Sequence, residues 1–439
     1  MIAGFSRVNM NPPPGTRMMG FGTRDKGPGS ESIRDDIFVR ALYLSHGGEE
    51  AVILSFDMCF IGREDSDRYK GVIGRLLDLS PRKILLNSSH SHVGPASGYW
   101  AYGDYLPPDQ LYLRELEGMI VAAVTEARDT AQDTTIWAGS GKSTIPMNRR
   151  RMMDSGKTEN RPNPDGIVCD TLPVCLLKNA AGDPIACLFS ISAHPSIVGG
   201  TAISAEYPGA ATNRVDVFLG RNCSMFLQGC GGDAKTSPAG EGQDAWISND
   251  WDIVEKVGEI LLQEVIDIVN NGLSEHQPAL ATALAETQWP LLEPVSRDEF
   301  ARKASEGLIK GATPSEQGVD DLWAARQVEL IDRGQALRST ASVLIQGIKL
   351  GEGLRMVAIE GEPVAEHGLN ILDFYDNGVT FPLGYANGES MYLPVTRQLP
   401  EGGYEVEAYG EYGYPAQLAP GMEEIVRESM ERFQEQGID

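Results

Sequence analysis

The chain is poor in the residues that usually announce a compartment or a charged partner. Its 439 residues include six cysteines, none in a CxxC pair, and 37 basic residues against 62 acidic ones. Four of the cysteines lie in apolar runs such as VILSFDMCF and PIACLFSIS, the setting of reduced core thiols rather than of a disulfide framework. No run approaches the ~20 apolar residues of a transmembrane helix. The opening segment MIAGFSRVNMNPPPG lacks the apolar core and small-residue cleavage site of a secretory leader. A formal net charge of −25 repels phosphate backbones and anionic headgroups, which argues against nucleic acid and membrane surfaces as partners. The expectation is a cytoplasmic protein acting on a small-molecule substrate, with self-association into a homo-oligomer left open.

What is present is ordinary globular material, 41% hydrophobic and 23% charged, enough for a large core. EAVILSF (50–56), RKILLN (82–87), DTTIWAGS (133–140), LPVCLLKN (172–179), IACLFSISA (185–193) and SMFLQG (224–229) read as strands. Residues 111–131 and 252–273 carry apolar positions at three- and four-residue spacing and read as helices, the second ended by an Asn-Asn-Gly suited to a left-handed cap. This alternation predicts an α/β protein with mixed β-sheets packed together and flanked by helices. One domain over 1–439 is expected. An α/β portion spans 1–273, a mostly helical insertion 274–341 (a transition to 290, then helix over 297–338), and a second α/β portion 342–439. The stretches 342–351 and 355–361 read as strands and 420–436 as a closing helix.

Only six histidines occur, and two of them form NSSHSHVGP at the end of a buried strand. If strand geometry persists, the period of two puts His90 and His92 on one side. His194 ends another apolar strand, with Pro195 closing the ladder. Imidazoles at two strand ends are a plausible metal or general-base cluster, and equally three polar residues satisfied where strands meet turns. A catalytic zinc ordinarily takes three protein ligands, so a carboxylate must come from elsewhere.

These residues carry a resemblance. The chain resembles the N-terminal catalytic domain of the neutral/alkaline (non-lysosomal) ceramidase family, zinc enzymes that cleave the amide of N-acyl sphingoid bases. His90-Ser91-His92-Val93-Gly94-Pro95 matches the family's His-Thr-His-Ser-Gly-Pro segment, His194-Pro195 its later His-Pro, and Asn148-Arg149 its Asn-Arg pair. Gln228-Gly229-Cys230-Gly231-Gly232-Asp233, Glu360-Gly361-Glu362 and the Tyr-rich GYANGESMYLPVTRQLPEGGYE (384–405) follow in order. The resemblance implies Zn2+ held by His90, His194, Glu362 and Tyr404. It implies His92 as proton carrier beside the reacting carbonyl and Arg149 as stabiliser of the oxyanion. Asn148, Asp233 and Trp100 are expected to contact substrate, and Asp57 to orient a ligand imidazole.

The pattern departs from the family in two places. Where ceramidases read Gly-Asp-Val-Ser-Pro, this chain reads Gly232-Asp233-Ala234-Lys235-Thr236-Ser237-Pro238. Lys235 stands at the serine's place, and Ser237 aligns only across a two-residue shift, so it is not assigned as a nucleophile. The C-terminal β-sandwich domain of ceramidases has no counterpart in the sequence. The expected activity is therefore zinc-dependent hydrolysis of a small soluble amide, ester or lactone through metal-activated water. A ceramidase or other N-acyl lipid amidase, a metal-dependent carbohydrate-processing enzyme using Trp100, and a non-catalytic zinc-binding homologue are the alternatives.

Overall fold

The structure, a computed structural model, describes residues 1–21, 29–98, 108–306 and 314–439. Its centre is a nine-stranded mixed sheet. The strands run in the order Ser224–Gln228, Pro184–Ile191, Thr171–Asn179, Gln132–Lys142, Ile2–Asn9, Phe38–His46, Glu49–Phe56 and Ile84–Ser88, with Ser274–His276 added beside Gln132–Lys142. The apolar runs fall in these strands because they are buried on both faces. One face packs on helices through Val39, Leu54, Phe189 and Phe226. The other packs through Leu42, Ile53, Leu188 and Leu227 onto a second sheet.

That second sheet has the order Pro278–Pro290, Thr340–Gly351, Leu354–Ile359 and Val379–Leu383. Its far face is covered by helix Met422–Glu435, through Val426, Met430 and Phe433. The mixed sheets flanked by helices are those expected. Residues 278–290, read from the sequence as a transition, instead form a strand paired along Thr340–Gly351. Its burial falls on every third residue at first and alternates only from Glu286 onward, and its four alanines and two threonines dilute the period-two signal of a strand. The expected helix over 297–338 is two helices, Arg297–Glu306 and Pro314–Asp332, packed through Phe300 and Trp323.

Local capping explains the long helices. Asp109 Oδ1 accepts from the backbone N–H of Leu111 and Tyr112 to start Gln110–Asp129, and Asp250 does the same for Trp251–Asn271. Gly272, however, does not take the expected left-handed cap, its φ being −116°. Its neighbour across the sheet supplies another reason for small residues here: a Cβ on Gly139 would lie 2.1 Å from the Gly272 carbonyl oxygen.

Three parallel strand pairs set up the site. Glu49–Phe56 lies parallel to Ile84–Ser88, Pro184–Ile191 to Ser224–Gln228, and Leu354–Ile359 to Val379–Leu383. Asn87 joins all three. From the first pair, its Oδ1 accepts from Gln228 N at 2.8 Å, and its Nδ2 donates to Gln228 O at 3.3 Å and Gly384 O at 2.8 Å. Among the described residues no helix is long and apolar enough to cross a membrane.

Removing this amide strands buried backbone groups of two other segments, each costing about 1–3 kcal/mol. Asn87→Ala is therefore expected to lower unfolding stability by about 3 kcal/mol or more. Urea denaturation followed by fluorescence checks this, and an unchanged midpoint would refute the role given to Asn87.

Candidate metal centre and active site

Each parallel pair delivers a polar residue at its C-terminal end, the place where open α/β sheets bind ligands. His90 follows Ile84–Ser88, His194 follows Pro184–Ile191, and Glu362 follows Leu354–Ile359. The strand does not continue to His90 as a simple period would require. His90 has a φ of 65°, a left-handed conformation uncommon for a residue with a Cβ, held by its N–H bond to Met58 O. This turn, rather than strand alternation, brings His90 and His92 together, with their Nε2 atoms 3.1 Å apart. Gly361, with φ 85°, makes the corresponding turn before Glu362; a Cβ there would lie 2.6 Å from Ser390 Oγ.

The His90 and His194 Nε2 atoms lie 3.2 and 3.1 Å from the same oxygen, Glu362 Oε2. All three side chains are buried. His90 Nδ1 donates to Cys59 O at 2.9 Å and His194 Nδ1 to Gly231 O at 2.8 Å, since a carbonyl can only accept. In neutral rings both Nε2 atoms then present lone pairs toward a carboxylate oxygen. Burial, followed by the charge of Arg149, pushes the His194 imidazole down to about 3, outweighing its bond to Glu362. Burial raises the Glu362 carboxyl, but His90 and His194 outweigh it and hold it well below the usual carboxylate range. Three lone-pair donors converging on one another suit a cation, and a two-histidine, one-carboxylate set is familiar for catalytic zinc.

Two tyrosines complete the cluster, and neither is Tyr404. Tyr392 OH is 3.2 Å from His194 Nε2, its ring stacked on that imidazole with 6.3 Å between centroids. It is brought there because Tyr392 pairs with Glu362 in a short parallel bridge. Tyr412 OH donates to Glu362 Oε1 at 2.7 Å. The Tyr404 hydroxyl instead bonds to Glu411 at 2.9 Å, while its ring packs 5.2 Å from that of Tyr392. So the fold brings Tyr392, rather than the expected Tyr404, to the imidazoles. The Tyr-rich segment pointed to the right stretch, but only the strand register selects the residue.

Arg149 is buried against the faces of Tyr392 and Tyr404, with its guanidinium carbon 5.4 and 5.7 Å from the ring centroids. Its Nε donates to Glu405 Oε1 at 2.7 Å, and Arg150 Nη1 donates to the other oxygen at 2.7 Å. Arg149 Nη2 is buried with no acceptor among the described residues. Glu405, which the sequence did not single out, is the anchor that fixes this group. His92 is half-buried beside the His90 ring and edge-on to Phe21, at a centroid distance of 4.9 Å.

The other expected residues have different placements. Among the described residues Asp57 makes no bond to an imidazole. Its carboxylate accepts from Arg40 at 2.7 Å and Phe38 N at 2.9 Å, a buried ion pair, and backbone carbonyls orient the histidines instead. Asp233 accepts from Ala365 N, Gln398 and Asn148, so it ties segments together beneath the site. Asn148 spends its amide on Ile167 O and Asp233 and its carbonyl on Arg150 N. The Ser237 hydroxyl donates to Thr144 O at 2.7 Å. Trp100 lies outside the described residues.

A cavity of about 1180 Å³ is lined by Arg63, Glu360, Glu389 and Arg326, and by Tyr412, whose hydroxyl bonds to Glu362. Arg63 holds Glu360 with two bonds of 3.1 and 2.7 Å. The Arg326 contribution comes from helix Pro314–Asp332, so the helical hairpin forms part of the cavity wall.

This chain matches no family model and no curated protein. Among solved structures it is similar over its whole length to a ceramidase complexed with C2, with a TM-score of 0.75, 15% identity and 74% of that chain covered. It is likewise similar to the neutral ceramidase from Pseudomonas aeruginosa, with a TM-score of 0.72, 14% identity and 74% of that chain covered.

Metal analysis of purified protein is expected to find one ion per chain, lost in His194→Ala and Glu362→Ala. Tyr392→Phe is expected to weaken metal retention under chelator challenge, and Tyr404→Phe to leave it near wild type. The reverse order would return the fourth position to Tyr404. At an identity near 15%, a likeness spanning the whole chain establishes architecture, and that architecture is the fold of these ceramidase structures.

Proposed function

We propose that this chain is a zinc-dependent hydrolase of amide or ester bonds in small acyl substrates. The observation that carries the reading is the convergence of His90 Nε2, His194 Nε2 and Glu362 Oε2, with the acceptor-less Arg149 Nη2 fixed alongside. The likeness to proteins named ceramidases supports the choice of an acyl C–N bond.

Zinc bound by His90, His194 and Glu362, with Tyr392 adjacent, would act as a Lewis acid toward water and the substrate carbonyl. The residues supply the rest. His92, with Nε2 3.1 Å from that of His90, is placed to take a proton from the attacking water and return it to the leaving group. Arg149 Nη2 donates to the carbonyl oxygen as charge gathers there, and Glu405 keeps the guanidinium from moving as it does so. Tyr412 holds Glu362 through its other oxygen, which leaves Oε2 facing the imidazoles. The cavity that Tyr412 helps to line has room for the body of a small substrate.

Hydrolysis of N-acyl lipids is the second reading, favoured by the same structural likeness. Turnover of ceramide that depends on detergent would select it over a soluble substrate.

Arg149→Gln is expected to lower kcat by roughly 10²–10³, the loss typical of one oxyanion donor, and His92→Gln by about 10²–10⁴. Both variants should retain the metal. Steady-state kinetics paired with metal content tests this, and wild-type turnover in metal-replete Arg149→Gln would remove Arg149 from the chemistry.

A further inference from the structure

The residue at which the sequence leaves the ceramidase pattern lies next to the site. Lys235 follows Ala234, whose carbonyl accepts the His194 N–H at 2.9 Å. In the antiparallel pairing of Ala234–Thr236 with Pro146–Met152, Lys235 is opposite Met147, two residues from Arg149. The Lys235 ammonium lies over the Trp246 ring, 5.3 Å from its centroid. Among the described residues it has no carboxylate within ion-pairing distance. Glu206 is the acidic group nearest in influence, but its oxygens accept from Ile197 N and Tyr207 N, and burial pushes its carboxyl up to about 7. Arg149 nearby is also cationic and has Nη2 without an acceptor.

A chain with net charge −25 thus keeps two cations on neighbouring strands next to the His194 backbone, one bonded to Glu405 and the other without a carboxylate partner among the described residues. Such a pair repels itself and is stabilised when an anion enters. We infer that Lys235 forms an anion subsite that recognises a carboxylate on the acyl substrate close to the scissile carbonyl, leaving Arg149 Nη2 to the carbonyl oxygen itself. Lys235 acts here as a specificity-determining residue and takes no part in bond cleavage. The Trp246 face steadies the ammonium through a cation–π contact. The inference rests on the hydrolase reading for its substrate, although the subsite itself does not.

The test separates the two. With metal-loaded protein, calorimetry is run with glutarate as a non-reacting probe on wild type, Lys235→Met and Lys235→Arg. Kinetics are then compared for a pair of N-acyl amides differing only in a free carboxylate or its methyl ester. Wild type should bind glutarate, Lys235→Met roughly 10- to 100-fold more weakly, and Lys235→Arg near wild type. Lys235→Met should raise KM for the carboxylate amide by the same factor and leave the ester unchanged. Loss of glutarate binding in Lys235→Met without turnover of either amide would uphold the subsite and sink the hydrolase reading. Turnover with equal glutarate affinity in wild type and Lys235→Met, or equal kinetic effects on both amides, would overturn the subsite alone.

Discussion

The architecture depends on one buried amide. Asn87 belongs to one parallel strand pair and bonds to the backbone of the other two, through Gln228 and Gly384. A carboxamide suits this junction because it offers an acceptor and two donors from a single planar group. No apolar residue could replace it without leaving buried backbone groups unpaired. The loops that leave these strands carry His90, His194 and Glu362, so the precision of the cluster comes from a junction below it.

Above that junction, backbone conformation converts strand ends into a site. The left-handed turn at His90 and the glycine turn at Gly361 each redirect the chain within a residue or two. Carbonyls of Cys59 and Gly231, rather than the Asp57 carboxylate, then fix both ring tautomers. Asp57 instead neutralises Arg40 in the core, a pair that is costly to break because either partner alone would be a buried unpaired charge. Asp233, similarly, draws donors from three segments.

The electrostatic layout divides along the same lines. The exterior is acidic, yet the ground beside the cluster holds Arg149 and Lys235. Glu405 takes one nitrogen of Arg149 and one of Arg150, which anchors a guanidinium while leaving part of its bonding capacity open. A site built this way draws negative charge inward against a repelling surface, and burial strengthens that attraction.

Much of this was legible in the residues. Apolar runs marked most strands of the central sheet, helical spacing marked Gln110–Asp129 and Trp251–Asn271, and the rare histidines at strand ends marked the cluster. Those signals are local, with periods of two and 3.6 residues, and are readable without knowing any distant partner. It could not mark Pro278–Pro290, whose small and polar residues suit a half-exposed strand, nor show that Tyr392 and not Tyr404 meets His194. Such choices join residues 198 positions apart for Tyr392 and His194, and 256 apart for Arg149 and Glu405. Strand order and register decide them, because a shift of one residue turns every side chain to the opposite face. Residue chemistry was therefore determined by the sequence alone, whereas the partner of each polar group was decided by tertiary structure.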